Sequence, residues 1–102
     1  MSNLIDPLTV SLLAEVDGIH PAHAANRLAL AIRVVEVVAA IHDDCRTDMV
    51  WIINTMIEPN GFFDAHRDFH GTVSRSLWPG QFGREVSTDT LRLALRIVEV
   101  SQ

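Results

Sequence analysis

Hydrophobic positions along this chain recur at three- and four-residue spacing, the period of helices packed on one face, and the breaks between such runs carry glycine, proline and asparagine. In DPLTVSLLAEVDG, Leu8, Leu12, Leu13 and Val16 share one face of a helix that Asp6 can cap, Pro7 can open and Gly18 can end. A second proline, Pro21, opens PAHAANRLALAIRVVEVVAAIHDD. This run is free of glycine and internal proline, is rich in alanine and leucine, and predicts one long helix over residues 21–44. Its few polar side chains, Asn26, Arg27, Arg33 and Glu36, leave most of its circumference apolar, so it has to be covered on most sides.

Residues 48–57 follow, with Thr47 or Asp44 as cap. Their core, MVWII, fits a short buried strand or a buried helix equally by periodicity, and helix is favoured because no comparable strand is present to pair with it. Glu58, Pro59, Asn60 and Gly61 form a turn in which Asn60 can cap the next helix. That helix spans residues 62–70, with Phe62, His66, Phe69 and Val73 at helical spacing. Gly71 is expected to end or bend it, and SRSLWPG to add a further turn. PGQFGREVS is the longest irregular loop. A last helix starts at Ser87 or Thr88, with Asp89 in the first turn where the helix dipole favours it, and Leu91, Ala94, Leu95 and Val98 facing inward. The expected fold is all-α: a compact bundle of four to five helices around the 21–44 helix, forming a single helical domain over residues 1–102. The likeness of RLALAIRVVEV to RLALRIVEV does not signal a duplication. Two residues are missing inside the second copy, and two helical residues rotate the face by roughly 200°.

Composition narrows the functional classes. With 102 residues, 48% of them hydrophobic, and a net charge of −5, the chain lies far from the disordered corner. All eight basic residues are arginines spread along the chain, without the clustered cations that duplex binding draws on, so no direct nucleic-acid contact is expected. The single cysteine, Cys45, excludes an intrachain disulfide and a cysteine-rich zinc site. The N-terminal residues lack the pattern of a signal peptide, and the longest apolar stretch, residues 28–41, is broken by Arg33 and Glu36 and falls short of the about 20 residues a bilayer requires. A cytoplasmic protein without membrane attachment is the expectation.

Candidate chemistry concentrates in FFDAHRDFHG. His66 and His70, four apart, project from one helical face at the spacing of HxxxH metal ligands. Asp64 and Asp68 form a separate pair rotated away from them, and the glutamate of an HExxH protease is missing. A metal-dependent enzyme or sensor would therefore need His42, Asp43 or Asp44 as a third ligand. In IHDDC, residues 41–45, the His-Asp doublet at the end of an apolar helix resembles that of the HD-domain phosphohydrolases, a resemblance that implies a metal centre with an upstream histidine. The upstream histidines here, His20 and His23, lie roughly 30 Å away along the same helix. Cys45 has His42 and Arg46 as neighbours, but no nucleophile elbow and no phosphate-binding loop is present.

Interaction surfaces are better motivated. Asp43, Asp44 and Asp48 cluster at a helix junction, with Asp64 and Asp68 as a second acidic pair, and Arg75, Trp78, Phe82 and Arg84 lie in or beside the irregular loop. Aromatic and arginine residues of this kind are enriched at the centres of interfaces. The pattern points to a small acidic non-enzymatic module, an inhibitor or regulatory adaptor without a cofactor, that binds a larger protein or complex and forms a homodimer through its long or its last helix. In size and charge alone it is similar to small helical inhibitors encoded by bacteria and phages, anti-CRISPR proteins among them.

Overall fold

A computed structural model describes Gly18 and residues 20–101, all of whose regular structure is helical. The helix expected over residues 6–16 lies outside the described residues. Four helices follow in order among those described: α1, Pro21–Cys45; α2, Met49–Ile57; α3, Phe63–Leu77; and α4, Thr88–Ser101. The ambiguous MVWII segment is helical.

α1 begins where expected, with Pro21 in its first turn. Its cap is a residue the sequence pattern does not single out: the His20 ring Nδ1 accepts a hydrogen bond from the Ala22 N–H at 3.1 Å. Its other end closes in a left-handed turn at Arg46, with φ of 61°, whose N–H donates to the His42 carbonyl at 2.7 Å. His42 is thus a last-turn residue, and its ring Nδ1 donates to the Thr47 carbonyl at 2.7 Å. Along α1 the side chains of Ala24, Leu28, Ala31, Val34 and Val38 are buried, while Asn26, Arg33 and Glu36 are exposed on the opposite face. The stripe is made of alanine, valine and a single leucine, and such small side chains let a neighbouring helix approach closely.

α1 packs on α2, α3 and α4, and the nine-residue α2 also touches all three of the others, whereas α3 and α4 make no contact with each other. The long helix therefore shares the centre with α2, whose Ile52, Ile53 and Met56 are fully buried beside Val34, Val38, Val73 and Leu91. Each such side chain withdrawn from water contributes about 1.5–3 kcal/mol. No described helix is long and apolar enough to cross a membrane.

Three expectations about the middle of the chain are corrected. Neither Thr47 nor Asp44 caps α2. Asp48 holds the cap position without a side-chain hydrogen bond, and Phe62, not Asn60, precedes α3. Asn60 and Gly61 instead both adopt positive φ, which turns the chain sharply between the two helices. Nor does α3 end at Gly71, and the further turn expected from SRSLWPG is its continuation. It runs on to Leu77 because Val73 and Leu77 continue its buried stripe, and that burial outweighs the helix cost of one glycine. At the start of α4 the Ser87 hydroxyl oxygen accepts from the Thr90 N–H at 3.3 Å, as a capping serine does. Leu91, Ala94 and Val98 are buried as expected, with Leu95 half-buried.

A Cβ at Gly71 would meet only the mobile end of Arg75, at 3.0 Å from Nη1. Gly71→Ala is therefore expected to stabilise the fold by about 1 kcal/mol and raise Tm by roughly 4–8 °C, as read by thermal denaturation. An unchanged or lower Tm would mean that Arg75 cannot yield.

Candidate functional site

The histidines of FFDAHRDFHG face α2. A short helix ends with carbonyls that have no partner in the next turn, and at the C-terminus of α2 two of these are Thr55 and Met56. The four-residue spacing of His66 and His70 on α3 brings one imidazole to each. His66 Nδ1 donates to the Thr55 carbonyl at 2.7 Å, and His70 Nε2 donates to the Met56 carbonyl at 2.7 Å. The two rings meet edge to face, with centroids 4.7 Å apart. A carbonyl can only accept, so these contacts fix which nitrogen of each ring carries hydrogen. In the neutral rings, His66 Nε2 and His70 Nδ1 are left as acceptors.

Among the described residues no third metal ligand is brought to His66 and His70. His42 is turned to the Thr47 carbonyl, Asp43 and Asp44 are exposed, and among the described residues no group of three or more histidine, cysteine, aspartate or glutamate side chains is arranged to hold a metal ion. Cys45 is a free, exposed thiol whose S–H donates to the Thr47 hydroxyl at 3.1 Å.

On one flank of α3 a pocket of about 390 Å³ opens toward the loop that follows the helix. His66, His70, Gly71 and Ser74 form its helix side, and Arg84 and Glu85 line the loop side. Trp78 does not stand out from the loop. It is half-buried and packed against the main core, with the Arg84 guanidinium stacked over its ring at 4.2 Å. Arg84 also donates to the Gln81 side-chain carbonyl at 2.8 Å, and Phe82 at the loop tip is 98% exposed.

The other flank carries an aromatic corner. Trp51 on α2 meets Phe62 edge to face at 5.5 Å and Phe69 of α3 at 5.8 Å. Packing of this kind usually belongs to an interior, yet Trp51 is 38% exposed, Phe62 54% and the adjacent Phe63 68%. Exposed carboxylates border the same two helices: Asp48 one turn before Trp51, and Asp64 and Asp68 along α3, with Asp64 paired to Arg67 at 2.9 Å. Arg75 is exposed on the same helix.

Trp51, Phe62 and Phe63 are missing from the surface residues expected from sequence. A signal for Trp51 exists: it shares its helical face with Asn54 and Glu58, both exposed, while Ile52, Ile53 and Met56 hold the buried face. Adjacent phenylalanines at a helix start carry a similar one, since neighbouring positions are about 100° apart and cannot both face inward. Comparison with protein-family models, with curated proteins and with solved structures gave no match for this chain.

The histidine contacts carry a stability test. His66→Ala and His70→Ala each leave a carbonyl at the end of α2 without its donor, and each is expected to lower the unfolding free energy by about 1–3 kcal/mol. Denaturant midpoints equal to that of the unaltered chain would show that water serves those carbonyls as well.

Proposed function

We propose that this chain is a non-enzymatic protein-interaction module, of the inhibitor or regulatory-adaptor kind, that binds a larger protein or complex through an acidic and aromatic surface. The observation that carries the reading is the aromatic corner, where Trp51 and Phe62 stay exposed on two helices that also expose Asp48, Asp64 and Asp68, with Phe63 exposed beside Phe62 on the next helical face. Exposed clustered aromatics cost free energy in water and are typical of the centres of interfaces. A rim of Asp48, Asp64 and Asp68 suits a partner that presents arginine or lysine around an apolar anchor. Phe82 at the loop tip and the Asp43 and Asp44 carboxylates at the end of α1 extend the same kind of surface. The exposed free thiol of Cys45 fits a reducing, cytoplasmic setting.

Affinity capture from native lysate with the unaltered chain and a Trp51→Ala, Phe62→Ala double variant tests this. The partner is expected with the first and absent with the second, while circular dichroism shows the same helical content in both. A variant that folds and captures the same proteins removes the aromatic corner from the proposal. Self-association through α1 or α4 belongs to the same reading, and light scattering that returns 11.3 kDa at high micromolar concentration overturns that part.

A further inference from the structure

Two side-chain atoms on α3 are buried with no hydrogen-bond partner: Nδ1 of His70 and Oγ of Ser74. They lie one helical turn apart, and both residues line the pocket between α3 and residues 83–85. Buried polar groups without partners are uncommon and call for a water, an ion or a ligand. Their needs differ. His70 donates through Nε2 to the Met56 carbonyl, so its Nδ1 requires a donor, whereas the Ser74 hydroxyl has a hydrogen to give. A single guest that meets both must donate one hydrogen bond and accept another.

The charge at the mouth narrows the guest. Arg67 and Arg84 line the pocket, and the Arg75 guanidinium lies over Gly71, at 3.0 Å from where a Cβ would be. Against these three cations stand Asp64, which is paired with Arg67, and the lining carboxylate of Glu85. Among the described residues Arg75 and Arg84 make no ion pair, so the balance at the mouth is positive. Guanidinium groups bind tetrahedral oxyanions through paired N–H donors. An oxyanion that also keeps a proton of its own is a phosphate.

We propose that this pocket binds a phosphate group, with one P–OH donating to His70 Nδ1, one phosphate oxygen accepting from the Ser74 hydroxyl, and the remaining oxygens facing Arg84 and Arg67. Both atoms are closed to solvent as the chain stands. Entry therefore requires the rim to part, with Arg67 leaving Asp64 and Arg84 leaving the Trp78 ring and Gln81, contacts among exposed side chains that an anion can replace. Gly71 contributes by letting the Arg75 guanidinium lie against the helix wall at that level. The proposal is independent of the aromatic corner, which lies on the other flank of α3.

Inorganic phosphate and sulfate, at matched ionic strength and a pH of about 7, separate this site from a general attraction of anions. Sulfate has similar size and charge but no proton to donate. Calorimetric titration of the full chain is expected to show saturable phosphate binding at least about tenfold tighter than sulfate, the order of one hydrogen bond. Phosphate, and not sulfate, is expected to move the His70 ring nitrogen signals in nitrogen-15 spectra. His70→Phe is expected to remove most of the preference, because the P–OH loses its acceptor, whereas Ser74→Ala and Arg84→Ala are each expected to weaken both anions, with Tm confirming that each variant folds. Equal binding of the two anions, saturable binding of neither, a preference untouched by His70→Phe, or phosphate binding untouched by Ser74→Ala would each overturn the proposal. Once phosphate binds, glycerol phosphate and a short phosphoserine peptide distinguish a small metabolite from a modified protein as the source, each taking up one proton on binding because a phosphate monoester is mostly doubly ionised at this pH.

Discussion

The nine residues of α2 set the terms for the rest of the bundle. A helix of this length is marginal in water on its own, yet α2 touches every other described helix and places three fully buried side chains, Ile52, Ile53 and Met56, in the core. Such a helix must be held at its ends. Its start has no side-chain cap, so the end carries the requirement, and α3 meets it by bringing two imidazoles to the carbonyls of Thr55 and Met56. The tight turn at Asn60 and Gly61 sets α3 alongside, and the burial of Val73 and Leu77 carries the helix on past Gly71. α1 and α4 then close the other sides.

Seen this way, FFDAHRDFHG is first a joint between helices. Its histidines are consumed in part by backbone, its outer aspartates remain in solvent, and its phenylalanines divide: Phe69 is half-buried, while Phe62 and Phe63 stay out. The joint also separates the two flanks of α3. One flank lines a polar pocket beside two buried side-chain atoms without hydrogen-bond partners, and the other carries the contacts of Phe62 and Phe69 with Trp51. Surfaces so different in chemistry, divided by one fifteen-residue helix, are suited to different ligands.

The long-range repeat of apolar residues was sufficient to place α1 to within one residue of its observed end, and serine with a following aspartate marked the start of α4. Such signals are local, and local physics decides them. The length of α3 was not legible, because whether a glycine ends a helix depends on what the following turns bury, which is a tertiary matter. The role of His66 and His70 was half legible. Spacing put both on one face, but their partners are main-chain carbonyls of another helix, and a carbonyl leaves no trace in residue type. The outward turn of Trp51 could have been read from Asn54 and Glu58. Hydrophobicity argued for the interior, and in a helix covered on three sides that argument fails at the one face left over.

The arrangement of Trp51 between Phe62 and Phe69 bears on the kinetics and entropy of any docking event. Rings that pack edge to face have fewer rotamers open to them than isolated ones, so association there loses less side-chain entropy than it would on flexible side chains. A partner would find the same shape at each encounter, without waiting for the corner to rearrange. Discrimination among partners would then fall to the charges around the rings, and the speed of encounter would vary with ionic strength.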